Sequence, residues 1–115
     1  MENWKNLPLT EIERQAIQDV AKILKEKYPI QRVIIFGSKA RGDYDEHSDI
    51  DLLLISSRPL KWQEERTITE ELFDIGMEFD VIFSPLFVSL AEWEGENFAE
   101  FSVYSEILRD GAIVQ

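Results

Sequence analysis

Two apolar runs constrain this chain more than anything else in it. Val33-Ile34-Ile35-Phe36 has no polar position, and Ile50 to Ile55 has only Asp51. Neighbouring side chains on a strand point to opposite sides of a sheet, so a strand apolar at successive positions is buried on both faces. Both runs read as interior strands that need cover above and below. The first ends abruptly at Gly37-Ser38, and the second opens with the acid pair Asp49 and Asp51.

The flanking segments supply the cover. Thr10 to Glu13 has the T-x-x-E form of a capping box, and Ile12, Ala16, Val20, Leu24 and Tyr28 follow at near-helical spacing until Pro29. Arg58-Pro59 ends the second strand, and Lys61 to Gly76 reads as a helix with Ile68, Leu72 and Ile75 on one stripe. Phe79 to Phe83 reads as a third strand. Ser84-Pro85 has the form of an N-cap followed by proline at the first helical position, which predicts a helix to about Trp93. Gly95 and Asn97 interrupt the pattern. A last helix is expected over Val103 to Arg109, closed by Gly111, with Ala112 to Val114 as an edge strand. The order predicts an α/β (α+β) chain, a small mixed sheet with helices packed on it.

Bulk properties narrow the function. A length of 115 residues suits one domain over residues 1–115. The absence of cysteine and the single histidine exclude disulfides, thiolate metal sites and a multi-histidine zinc site. No apolar run approaches the roughly 20 residues of a membrane span. Met1 to Asn6 is polar, unlike a secretory leader, so a cytoplasmic location is expected. The net charge of −11 repels phosphate backbones. It disfavours a long nucleic-acid substrate and suits a basic protein partner, though acidity also serves solubility alone.

Asp49 and Asp51 project to one face of their strand, about 6.5–7 Å apart along it. Leu53 and Ile55 continue that face as core, which leaves the acids on its rim. Two carboxylates held together at a partly buried rim repel each other and lose hydration. A divalent cation compensates, and an all-oxygen ligand set suits magnesium or manganese. Taken alone, D-x-D is more often just the polar end of a strand.

Gly37 lets the backbone approach a ligand closely, and Ser38 is suited to cap a short helical turn over Lys39-Ala40-Arg41. The N–H groups of such a turn suit a phosphate, and Arg41 is placed to grip phosphate oxygens. The segment is neither G-x-x-x-x-G-K-[ST] nor G-x-G-x-x-G. On its own it is an ordinary strand-to-helix turn.

Together, the turn and the acid pair stand at the ends of two buried strands. The segment reads Gly37-Ser38-Lys39-Ala40-Arg41-Gly42, then residues 43–47, then Ser48-Asp49-Ile50-Asp51. It closely resembles the minimal nucleotidyltransferases of the DNA polymerase β-like superfamily, whose motif is G-S-x10-D-x-D. Ten residues separate Ser38 from Asp49, and the R-G after the serine and the serine before the first acid also match. The likeness extends to the tail Gly111-Ala112-Ile113-Val114.

The resemblance implies a nucleotidyltransferase core and a role for each matching residue. Gly37 and Ser38, with Arg41 beside them, would contact the triphosphate of ATP. Asp49 and Asp51 would bind magnesium, with two ions expected. Asp80 would be the third acid, completing the metal site and helping to deprotonate the attacking hydroxyl. Asp74 competes for that role but reads as helical. Larger members carry an extra helical domain for the acceptor, so here a partner chain or a homo-oligomer must supply acceptor recognition. Minimal members are commonly paired with HEPN toxins as their antitoxins, and some resemble protein adenylyltransferases that modify a tyrosine of the toxin. The rival readings are a small-molecule, aminoglycoside-type transferase and an antitoxin that acts by binding alone.

Several residues carry less weight. His47 and Tyr44 read as solvated turn residues, Trp62 and Trp93 as core or interface anchors, and Glu92, Glu94 and Glu96 as a solvated face.

Overall fold

A computed structural model describes residues 2–42 and 49–114. Five strands form one mixed sheet in the order β1-β5-β2-β3-β4. Its centre is built from the two apolar runs, β2 (Ile30–Phe36) and β3 (Ile50–Ser56), which pair antiparallel with Phe36 opposite Asp51. The short β1 (Glu2–Asn3) lies parallel to β5 (Ala112–Val114), and β4 (Phe83–Ser89) lies parallel to β3.

Helix α1 (Glu11–Lys27) starts as its capping box dictates. The Glu13 N–H donates to Thr10 Oγ1 at 3.1 Å, and the Thr10 N–H donates to Glu13 Oε1 at 2.9 Å. Its buried face is Ala16, Ile17, Val20, Ala21 and Leu24. Ile12, expected on that stripe, is 58% exposed. Four-residue steps drift about 40° each around a helix, so the first member of a long series turns off the buried face.

Alternate residues of the central strands serve two cores. Val33, Ile35, Ile50, Leu52 and Leu54 pack with α1 and with Ile68, Leu72 and Ile75 of α3 (Trp62–Phe79). Ile34, Leu53 and Ile55 pack with Val88 and with Ile107. Ile107 belongs to α6 (Ser102–Asp110), which follows two short helices, α4 (Leu90–Glu94) and α5 (Glu96–Ala99). The turn α2 (Ser38–Arg41) links β2 to residue 43 onward.

The third strand departs from expectation. Helix α3 continues through Gly76 to Phe79, so the strand begins at Phe83 rather than Phe79. A side chain at Gly76 would collide with the Val81 carbonyl, which explains a glycine inside this helix. Ser84 and Pro85 start no helix and lie within β4. β4 is the outermost strand, where proline is tolerated. The Ile50 N–H takes the Ile82 carbonyl at 2.8 Å, so alternation turns the backbone of Pro85 away from β3. The helix begins only at Leu90. Ser89 caps it with Glu92, which therefore has a local partner rather than lying on a purely solvated face. β5 is not an edge strand, because β1 covers its other side.

Candidate functional site

The site grows from the paired ends of β2 and β3. Phe36 faces Asp51 across the ladder, and the chain then leaves the sheet at Gly37. Gly37 is buried, with φ 74° and ψ −154°, a combination adopted almost only by glycine. A Cβ there would collide with Oδ2 of Asp51 and stand 3.1 Å from its Cγ. Backbone torsion and lack of space therefore both demand glycine. The turn and the acid pair, expected near each other, meet through Gly37 and Asp51.

Ser38 opens the single turn of α2 as its first helical residue, and Gly37 takes the cap position expected for the serine. The N–H groups of Ala40 and Arg41 both donate to the Gly37 carbonyl at 3.1 Å. Gly42, at φ 80°, closes the turn in the left-handed region. Lys39 does not face outward beside the turn. Its side chain is 2% exposed, and Nζ lies 2.6 Å from Oε2 of Glu13. Arg41 pairs with Glu106 of α6 at 2.8 Å.

Asp49 is exposed and immediately precedes β3, whereas Asp51 is half-buried as its second residue. Burial first, then the charges of Asp49 and Glu106, push the Asp51 carboxyl above its ordinary pKa, and Arg41 pulls the other way. Sequence reasoning missed Glu106. It lies 55 positions from Asp51, on a helix with no motif, and reaches the site only through the packing of Ile107 against β3.

Asp80 does not begin a strand. It caps the C-terminus of α3 in the left-handed conformation, φ 57° and ψ 45°, and is exposed. A short acidic side chain tolerates that conformation better than most. Because β4 runs parallel to β3, Asp80 enters from the same end of the sheet as Asp49 and Asp51. Asp74 is exposed on α3. Among the described residues no three acid or histidine side chains are grouped closely enough to hold a metal ion. Tyr44, His47 and Ser48 lie outside the described residues. Trp62 is 66% exposed, and Trp93 packs with Phe98 and Tyr104 at ring-centre distances of 5.6 and 5.0 Å. No helix among the described residues is long and apolar enough to cross a membrane.

Comparison with known proteins identifies relatives of this chain and of its fold. A Methanocaldococcus jannaschii protein named "putative protein adenylyltransferase" is 36% identical over 80 residues, spanning 70% of this chain and 79% of that protein. A second from the same organism is 37% identical over 75 residues, 64% and 76% of the two chains. A crystal structure of the toxin–antitoxin MntA–HpeT superposes with a TM-score of 0.58 at 18% identity, covering 86% of this chain and 71% of the other. A tri-AMPylated Shewanella oneidensis HEPN toxin in complex with an MNT antitoxin gives 0.56 at 16% identity, covering 88% and 70%. Identities this low speak for the shared fold alone. The family model for the nucleotidyltransferase domain matches residues 17–109, which takes in the Gly37 turn, both acids and Glu106, and the chain belongs to that family.

Proposed function

We propose that this chain transfers AMP from Mg-ATP to a hydroxyl of a protein partner, as the antitoxin of a HEPN-type pair in the cytoplasm. The observation that carries the reading is the Asp51 carboxylate set against the Gly37-Ser38 turn at the shared end of two buried strands. The names of the Methanocaldococcus jannaschii relatives, and of the neighbouring toxin–antitoxin structures, support the protein acceptor and the partner.

In this reading Gly37 and Ser38 hold the triphosphate, with Arg41 exchanging Glu106 for phosphate oxygens. Asp49 and Asp51 hold magnesium. Their oxygen donors and the crowding around Asp51 fit a hard divalent cation. Bound magnesium would supply charge stabilisation for the attacking and leaving oxygens. The acceptor hydroxyl attacks the α-phosphorus, its proton passes to an acid, and pyrophosphate leaves. Asp80 is proposed as that third acid, and Glu106 is its structural competitor.

The test combines the chain, the protein encoded by the neighbouring gene, and Mg-ATP, and weighs both products by intact mass spectrometry. AMP-sized additions with wild type, absent with Asp49→Asn, are expected. Loss of transfer with Asp80→Asn but not with Glu106→Gln would assign the third acid. Tight inhibition of the toxin with no mass change would replace this reading with a binding-only antitoxin.

A further inference from the structure

We propose that the buried Lys39–Glu13 pair is a positioning device, which fixes the Gly37-Ser38 turn against α1 so that its backbone can meet the triphosphate. The inference rests on the proposed nucleotide site and adds two residues to it that never touch the nucleotide.

A lysine one residue beyond a phosphate turn is well placed to reach outward to the ligand. Lys39 does the opposite and runs under the turn to the start of α1. There Glu13 uses both carboxylate oxygens. Oε2 pairs with Lys39 Nζ at 2.6 Å, and Oε1 accepts the Thr10 N–H at 2.9 Å. The Glu13 backbone is itself held, because its N–H donates to Thr10 Oγ1 at 3.1 Å. One residue thus completes the cap of a 17-residue helix and anchors the turn. The helix is a rigid base, with Ala16, Ile17, Val20, Ala21 and Leu24 buried against the sheet. On the other face of the sheet, the Asp51 carboxylate closes over Gly37. The turn is therefore fixed from two sides.

Stability alone does not account for this pair. Well-packed apolar residues often serve a buried position as well as an ion pair does, or better. What an ion pair adds is a defined distance between two atoms. Phosphate transfer depends on such definition, because a displacement of about 1 Å can lower a rate about a hundredfold.

The experiment compares wild type, the apolar double variant Glu13→Leu/Lys39→Met, and Glu13→Gln, which keeps the shape and the cap acceptor. Each is followed by thermal melting, by amide hydrogen exchange, and by calorimetry with Mg-ATP. The double variant is expected to melt near wild type. Its Ala40 and Arg41 amides, which bond the Gly37 carbonyl, should exchange faster while those of β3 and of α1 from Val20 to Leu24, beyond the cap, stay protected. Its Kd for Mg-ATP should rise about tenfold or more. Glu13→Gln should show the same loosening to a smaller degree, and it carries the test if the double variant does not fold. Wild-type exchange at Ala40 and Arg41 in whichever variant folds would overturn the proposal, as would wild-type Mg-ATP affinity in it. If wild type itself does not bind Mg-ATP, the proposed function fails. Loosened Ala40 and Arg41 amides would then still uphold the anchoring.

Discussion

Two carboxylates flank the Gly37-Ser38 turn, and their surroundings are opposite. Glu13, on the α1 side, is buried, which alone would raise its pKa. Hydrogen bonds from Lys39 and Thr10 outweigh the burial, and the net shift is downward. Asp51, on the α6 side, is also desolvated, but its acidic neighbours Asp49 and Glu106 add repulsion, and Arg41 only partly opposes them. One charge is satisfied inside the chain. The other is left in deficit at the point where magnesium and a triphosphate are proposed to bind. The contrast separates a carboxylate bonded within the fold from one proposed to bind metal.

The largest test of this contrast is catalytic. Asp51→Asn should lower transfer about 10³-fold or more while the folded circular-dichroism spectrum persists, measured as AMP incorporated per unit time. Retained transfer would remove Asp51 from the site. Next comes stability. Glu13→Ala leaves Lys39 buried without this partner and should destabilise by about 3 kcal/mol in urea unfolding. Asp51→Asn should be neutral or slightly stabilising in the same assay. Equal losses for both would erase the distinction.

A smaller effect probes the contact between turn and acid. Gly37→Ala should cost about 2 kcal/mol, because it strains a glycine-only conformation. Part of that loss should return in an Asp51→Ala background, where the colliding carboxylate is gone. Strict additivity of the two changes would show that torsion alone demands the glycine.

The smallest effect is in pH dependence, and the two acids should differ in sign. Glu13 has a depressed folded pKa, so its contribution is present above the unfolded value of 4.5 and fades as pH falls through the folded one. Asp51 has a raised folded pKa, so the fold holds its proton longer than the unfolded chain does. Relative to Asp51→Asn, wild type should lose stability as pH rises from 3.8 through that raised value. Solvent screening of a half-buried group keeps this loss small. Melting curves between pH 3 and pH 7 would check both directions.

How far the sequence could be read follows from where each signal lies. The capping box, the apolar runs of β2 and β3, and the stripe of Ile68, Leu72 and Ile75 are local patterns, and each formed the element it indicates. β4 failed because its local cue was misleading. Ser84-Pro85 has the chemistry of a helix start, but pairing with β3 overrides it at an edge where proline loses no bond. Shifting that strand also moved Asp80 from a strand to the end of α3. The turn and acid pair were legible through their spacing, and Gly37 meets Asp51 as that spacing implied. The inward course of Lys39 and the arrival of Glu106 were not legible, since both depend on packing between distant segments.

The outward-facing backbone of Pro85 has one more consequence. A sheet's last strand is a template onto which another extended chain can zip, and β4 offers seven residues of it. The ring nitrogen of Pro85 has no hydrogen to give an incoming strand. It sits third in the strand, so a ladder that spans β4 must skip one bond there. The residue that made the sequence look helical therefore works against extension of the sheet beyond β4.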